Sequence, residues 1–164
     1  MRFSSRMIRV LMIAALLLAV SLFAAACGSG GGDAPTGTAS EIAGKVFTEA
    51  GVEPFGPTTS ITNDQEMEYF LGSTNYPEFS DTAIVQPMIS IDARMLYILK
   101  VASDKDASAV MEQLKIDVDP TRLICVAFSE DDVTMKSRGD VVYMVIDADH
   151  DQRDALTEAF EAID

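Results

Sequence analysis

The chain has 164 residues, with 26 acidic residues against 12 basic ones, one histidine, two cysteines and no tryptophan. All the acidic residues but only nine of the basic ones lie beyond position 27, a balance of −17 that excludes nucleic acid as a partner and disfavours anionic headgroups. Residues 38–164 suffice for one hydrophobic core but not for two ordinary domains, and two cysteines make no disulfide framework.

The first 27 residues give an address. Arg2, Arg6 and Arg9 are the only charges before Asp33, and Val10 to Ala26 runs without a charge. A basic start, an apolar stretch and small residues at the cleavage point make a secretory signal. The 17-residue apolar run is at the short limit for a spanning helix. Ala24-Ala25-Ala26 then leads into Cys27, an ending that resembles the lipobox of bacterial lipoproteins, with Ala24 where leucine is commoner. The resemblance implies cleavage before Cys27 and acylation of its thiol. Two acyl chains hold a protein stably, at about 0.8 kcal/mol per buried CH₂, where one chain does not. The expected location is the extracytoplasmic face of the cell membrane. Residues 1–26 are then the signal peptide.

Residues 27–37 read as the lipidated cysteine and a tether. Gly28 to Gly37 carries no large apolar residue and cannot bury enough surface to offset ordering. Residues 38–164 read as a single α+β domain. Thr38 and Glu41 stand at capping-box spacing, with Ile42, Ala43, Val46, Phe47 and Ala50 on one helical face and Gly51 as the stop. Val52 to Ile61 contains Pro54, Gly56 and Pro57 and reads as a loop. A second short helix is expected from about Asp64 to Leu71, with Gly72 as its stop.

The pattern then changes to period two. Thr82 to Ile91 is rich in strand formers but is interrupted by Pro87, which suggests an edge or a bulge. After a turn at Asp92-Ala93, Met95, Tyr97, Leu99 and Val101 alternate along one strand face. Ser103 or Asp104 caps a helix with Ala107, Val110, Met111 and Leu114 in phase. Shifting the sequence by 46 positions lays Met95–Leu114 over Val141–Phe160, with Tyr97 on Tyr143, Ala102 on Ala148, Ala109 on Ala155 and Glu112 on Glu158. Strand, cap and helix agree in phase. The expected architecture is therefore two β-β-α units forming a four-stranded, mostly antiparallel sheet with helices on one face, plus two short N-terminal helices. Between the units, Asp119-Pro120 looks like a helix start, whereas Ile124, Cys125, Val126 and Phe128 favour a strand; a short helix is slightly preferred.

The lipobox, the Gly-rich tether, the helical lead-in, the Pro87-Met88-Ile89-Ser90 strand, the Lys105-Asp106-Ala107 helix start and the closing Val141 to Phe160 strand-helix carry a resemblance. Together they resemble a family of small Gram-positive lipoproteins whose extracytoplasmic domain is catalogued as one of unknown function. The resemblance covers about residues 60–163, and the chain is shorter than that family's pattern between Met111 and Val133. It implies an address and a fold, but no activity.

Candidate sites are few. His150 is the sole histidine, Cys125 sits among apolar neighbours, and no Gly-rich phosphate loop follows a strand. Neither a zinc site nor a nucleophile–histidine–carboxylate set is visible. Asp147, Asp149 and Asp151 alternate, with Glu158 eleven positions after Asp147, which echoes the ligand spacing of a Ca²⁺ loop. Gln152 stands where that loop needs glycine, so strand termination and capping of the last helix is the competing reading. Arg138-Gly139-Asp140 spells an adhesion tripeptide but falls where a hairpin turn is expected. The methionines and the pair Tyr97 and Tyr143 read as core rather than as a binding groove.

These features lead to the expectation of a membrane-anchored, non-catalytic binding or accessory module without a cofactor. Its partner would be an envelope protein, a peptide or a wall component. The alternatives are a Ca²⁺-dependent structural domain, or a small envelope enzyme using Asp147, Asp149 and Asp151 for metal or acid–base work.

Overall fold

The computed structural model describes residues 32–89, 93–117, 119 and 127–164. The expected signal segment, Cys27, the first half of the expected tether and Cys125 lie outside the described residues, as does most of the segment for which the sequence slightly favours a short helix.

Helix α1 (Ala39–Ala50) begins where the capping box places it: Thr38 Oγ1 accepts from Glu41 N at 3.2 Å, and Glu41 Oε2 accepts from Thr38 N at 2.8 Å. The chain leaves α1 at Gly51. The loop that follows contains a two-residue strand, β1 (Thr58–Thr59). Helix α2 (Asp64–Leu71) is capped by Asn63, whose Oδ1 accepts from Glu66 N at 2.9 Å. Strands β2 (Phe79–Val85) and β3 (Met95–Val101) form an antiparallel pair with a bulge between Phe79 and Asp81. Helix α3 (Asp104–Asp117) follows Ser103, whose Oγ accepts from Asp106 N at 3.4 Å. A turn of 3₁₀ helix (Glu130–Asp132) leads into β4 (Val133–Arg138), β5 (Val141–Ile146) and helix α4 (His150–Ala162).

The strands form one five-stranded antiparallel sheet in the order β1-β2-β3-β5-β4. This corrects the expected four-stranded sheet of two β-β-α units. The fifth strand comes from the expected loop, where Thr58 and Thr59 pair with Val85 and Ile84. The β2 strand stops at Val85, before Pro87, which carries no N–H to continue a ladder.

The helices occupy both faces of the sheet rather than one. Helices α1 and α4 cover the face formed by Ala83, Val85, Leu96, Ile98, Val141, Tyr143 and Val145. Helices α2 and α3 cover the face formed by Ile84, Met95, Tyr97, Leu99, Val142, Met144 and Ile146. Strand β5 is therefore buried along its whole length, and β3 at every position but Lys100. Strands buried on both faces read as continuous apolar runs rather than alternating ones.

This arrangement also removes the repeat. In the antiparallel β3–β5 pair Tyr97 lies opposite Met144, and Tyr143 opposite Ile98. Tyr97 thus points to the α3 face and Tyr143 to the α4 face. A rotation exchanging the two hairpins within one sheet would have its axis normal to the sheet and would keep each residue on its face. No such rotation relates them, because α3 and α4 pack on opposite sides.

The distal half of the expected tether is part of the domain. Pro35 is buried and Ala34 packs against the α1–α4 core. Thr36 O accepts from Lys45 Nζ at 3.0 Å, and Gly37 O accepts from Lys100 Nζ at 2.7 Å. At the β4–β5 turn Gly139 has φ +53°, and a Cβ there would lie 2.8 Å from the Ala34 Cβ. The turn needs its left-handed backbone, and the docked segment needs its bare Cα.

Candidate functional site

Strand β5 ends at Ile146, and the next three residues make the junction with α4; Asp147 and Asp149 lie in that junction, and Asp151 and Glu158 in α4 itself. Asp147 is buried; its backbone N–H donates to Asp132 O at 3.0 Å, and its Oδ1 accepts from Asp149 N at 2.9 Å. This is an Asx turn, the local bond that ends a strand and reverses the chain. Asp149 is the N-cap of α4, with Oδ1 accepting from Gln152 N at 3.2 Å. Asp151 is exposed in the first helical turn, where the dipole favours a negative charge. Glu158 is exposed about two turns further on. Each carboxylate has its own local geometry, and among the described residues no three His, Cys, Asp or Glu side chains converge in a group that could hold a metal ion.

A second constellation was not visible in the sequence. His150 Nε2 lies 3.1 Å from Asp132 Oδ1, and Asp132 Oδ2 accepts from Ser129 N at 2.7 Å and from Ser129 Oγ at 2.9 Å. The bond from the Ser129 backbone, followed by that from His150, holds the Asp132 carboxyl below the usual carboxylate range. Serine, aspartate and histidine thus meet, but with the carboxylate in the middle. An activated hydroxyl needs the imidazole beside it to take its proton. Here the hydroxyl donates to the carboxylate, so the set ties the 3₁₀ turn to the start of α4. Arg153 reinforces the tie by donating to Asp131 O. No local sequence signal announces this pairing, because Asp132 and His150 are 18 positions apart.

The Arg138-Gly139-Asp140 turn has an equally structural use. The Arg138 guanidinium donates to Phe160 O at 2.9 Å and to Ile163 O at 2.5 Å, and it lies over the Phe160 ring at 6.0 Å. It therefore satisfies carbonyls at the C-terminal end of α4 rather than projecting into solvent. Phe160 in turn stacks on Tyr143, with ring centroids 4.6 Å apart. Burial pushes the Tyr143 hydroxyl well above the usual phenol range. Of the methionines, Met95 and Met144 are core, whereas Met88 is 87% exposed.

No family model, curated protein or solved structure matches this chain.

Proposed function

We propose that the chain is a lipid-anchored lipoprotein of the extracytoplasmic membrane face whose domain serves as a non-catalytic binding or accessory module of a bacterial cell envelope. The single observation that carries this reading is Ala24-Ala25-Ala26-Cys27 placed after a basic start and an uncharged apolar run. The similarity to small Gram-positive lipoproteins belongs to the same proposal. A non-catalytic role is supported by the uses of the polar side chains. Asp147 closes a turn, Asp149 caps a helix, and the histidine pairs with a carboxylate instead of a hydroxyl. The partner would be an envelope protein, a peptide or a wall component. No helix of the described residues is long and apolar enough to cross a membrane.

The test is partition. The unaltered protein should follow the detergent phase through two acyl chains on Cys27. The Cys27→Ala variant should appear in the medium or persist as an uncleaved precursor. If that variant is processed and retained like the unaltered protein, the anchor reading fails.

A further inference from the structure

The two sheet edges are finished differently. On one side β1 is only two residues long and follows Pro57, and β2 beside it carries a bulge. Shortness, proline and bulges are the usual means of stopping an edge from recruiting another strand. On the other side β4 runs six residues without proline and in unbroken register with β5. Among the described residues nothing pairs with its outer edge.

The direction of its backbone groups follows from the ladder. Asp147 N donates to Asp132 O, so these two form a hydrogen-bonded pair. Antiparallel pairs alternate between bonded and non-bonded, so Thr134, Lys136 and Arg138 turn their N–H and C=O toward β5. Val133, Met135 and Ser137 then turn theirs outward. The opposite side of β5 agrees: Val101 N donates to Asp140 O, which assigns Asp140, Val142 and Met144 to β3 and leaves the alternate residues for β4.

The charges that could guard this edge are drawn away from it. Lys136 Nζ lies 2.8 Å from Glu161 on α4, and Arg138 is bonded to α4 carbonyls. Val133 and Met135 place half-buried side chains on the α3 face, next to the core there. Beside the edge, Arg153 and Lys136 are matched by Asp154 and Glu161. Glu130 and Asp131 at the start of β4 remain as acidic surplus within a domain of strongly negative balance.

We propose that the outer edge of β4 takes up an extended polypeptide segment by strand addition, and that the segment alternates apolar with basic residues. Its backbone bonds to Val133, Met135 and Ser137. Its apolar side chains extend the α3-face core past Val133 and Met135, and its basic ones complement the unmatched Glu130 and Asp131 and the negative balance of the domain. A second copy of this chain is disfavoured by like charge. The proposal deepens the reading of the domain as a binding module and rests on it.

The test is amide exchange on the full lipidated chain in detergent micelles, with a blocked hexapeptide of alternating lysine and valine as the probe. At about ten times its dissociation constant, exchange at Val133, Met135 and Ser137 should slow roughly tenfold, with Thr134, Lys136 and Arg138 unchanged. An alternating glutamate–valine peptide should slow none of them. Ser137→Pro removes an outward donor without touching the ladder to β5, so it should keep the melting temperature and lose the effect. If it unfolds, the exchange pattern of the unaltered chain still decides. No slowing, slowing elsewhere, equal slowing by the glutamate peptide, or the same three amides protected in a dimer without peptide would each overturn the proposal. Detergent partition of Cys27→Ala is a separate readout, so failure here leaves the anchor reading standing.

Discussion

The Asp132 carboxylate accepts two bonds from Ser129 and faces His150, all of which favour its charged form. A carboxyl whose folded pKa is depressed contributes stability above its unfolded value and loses that contribution as pH falls through the folded one. Asp132→Asn should therefore lower the melting temperature at pH 6, and the gap from the unaltered protein should narrow as pH drops from about 5 toward 2. Glu41 and Glu66, lowered by bonds from Thr38 and Thr62, keep part of the acid sensitivity in both proteins. A gap that stays constant down to pH 2 would show that Asp132 carries no such linkage. Residue-level roles were unevenly legible. Thr38 and Glu41 could be read as a capping box because both partners sit within one turn. Arg138 could not be assigned to the end of α4, because its acceptors are 22 and 25 positions away.

Helix α4 decides between a cation loop and a capped terminus. With Asp149 bonded to Gln152 N, Asp149→Ala should cost about 0.5–2 kcal/mol in chemical denaturation. Millimolar Ca²⁺ should leave the melting temperature unchanged, because an ion that does not prefer the folded state cannot stabilise it. A Ca²⁺-dependent rise that vanishes in Asp147→Asn would restore chelation. Helix α1 was legible from cap, apolar phase and terminal glycine, and α2 from its apolar residues and terminal glycine, all of them local signals. Strand β1 was not: two threonines among prolines and a glycine become a strand only because the edge of β2 lies beside them.

At the scale of the whole domain, the lead-in acts as a strap across the end of the sheet that carries the β4–β5 turn. Ala34 packs on the core, and Thr36 and Gly37 receive lysine bonds from α1 and β3. A chain beginning at Thr38 should be less stable than one beginning at Gly28 by about 1–2 kcal/mol, the worth of a partly buried side chain and one or two exposed hydrogen bonds. Equal urea midpoints would show that the strap is incidental.

The sequence by itself determined the ends of α1 and α2, the β4–β5 turn and the apolar strands Met95–Val101 and Val141–Ile146, because caps, turns and periodicity act over a few positions; the strand expected from Thr82 to Ile91 runs instead over Phe79–Val85, and Met88 and Ile89 lie exposed. Only the tertiary structure decided on which side of the sheet each helix lies. An amphipathic helix has one apolar stripe whichever face it meets, so its own pattern carries no choice. The one sequence signal for two covered faces was in the strands. Leu96 and Ile98 are as apolar as the alternating Met95, Tyr97 and Leu99, and Val141 to Ile146 has no polar position. A one-sided sheet would leave half of those side chains in water, and burying them on both faces requires helices on both.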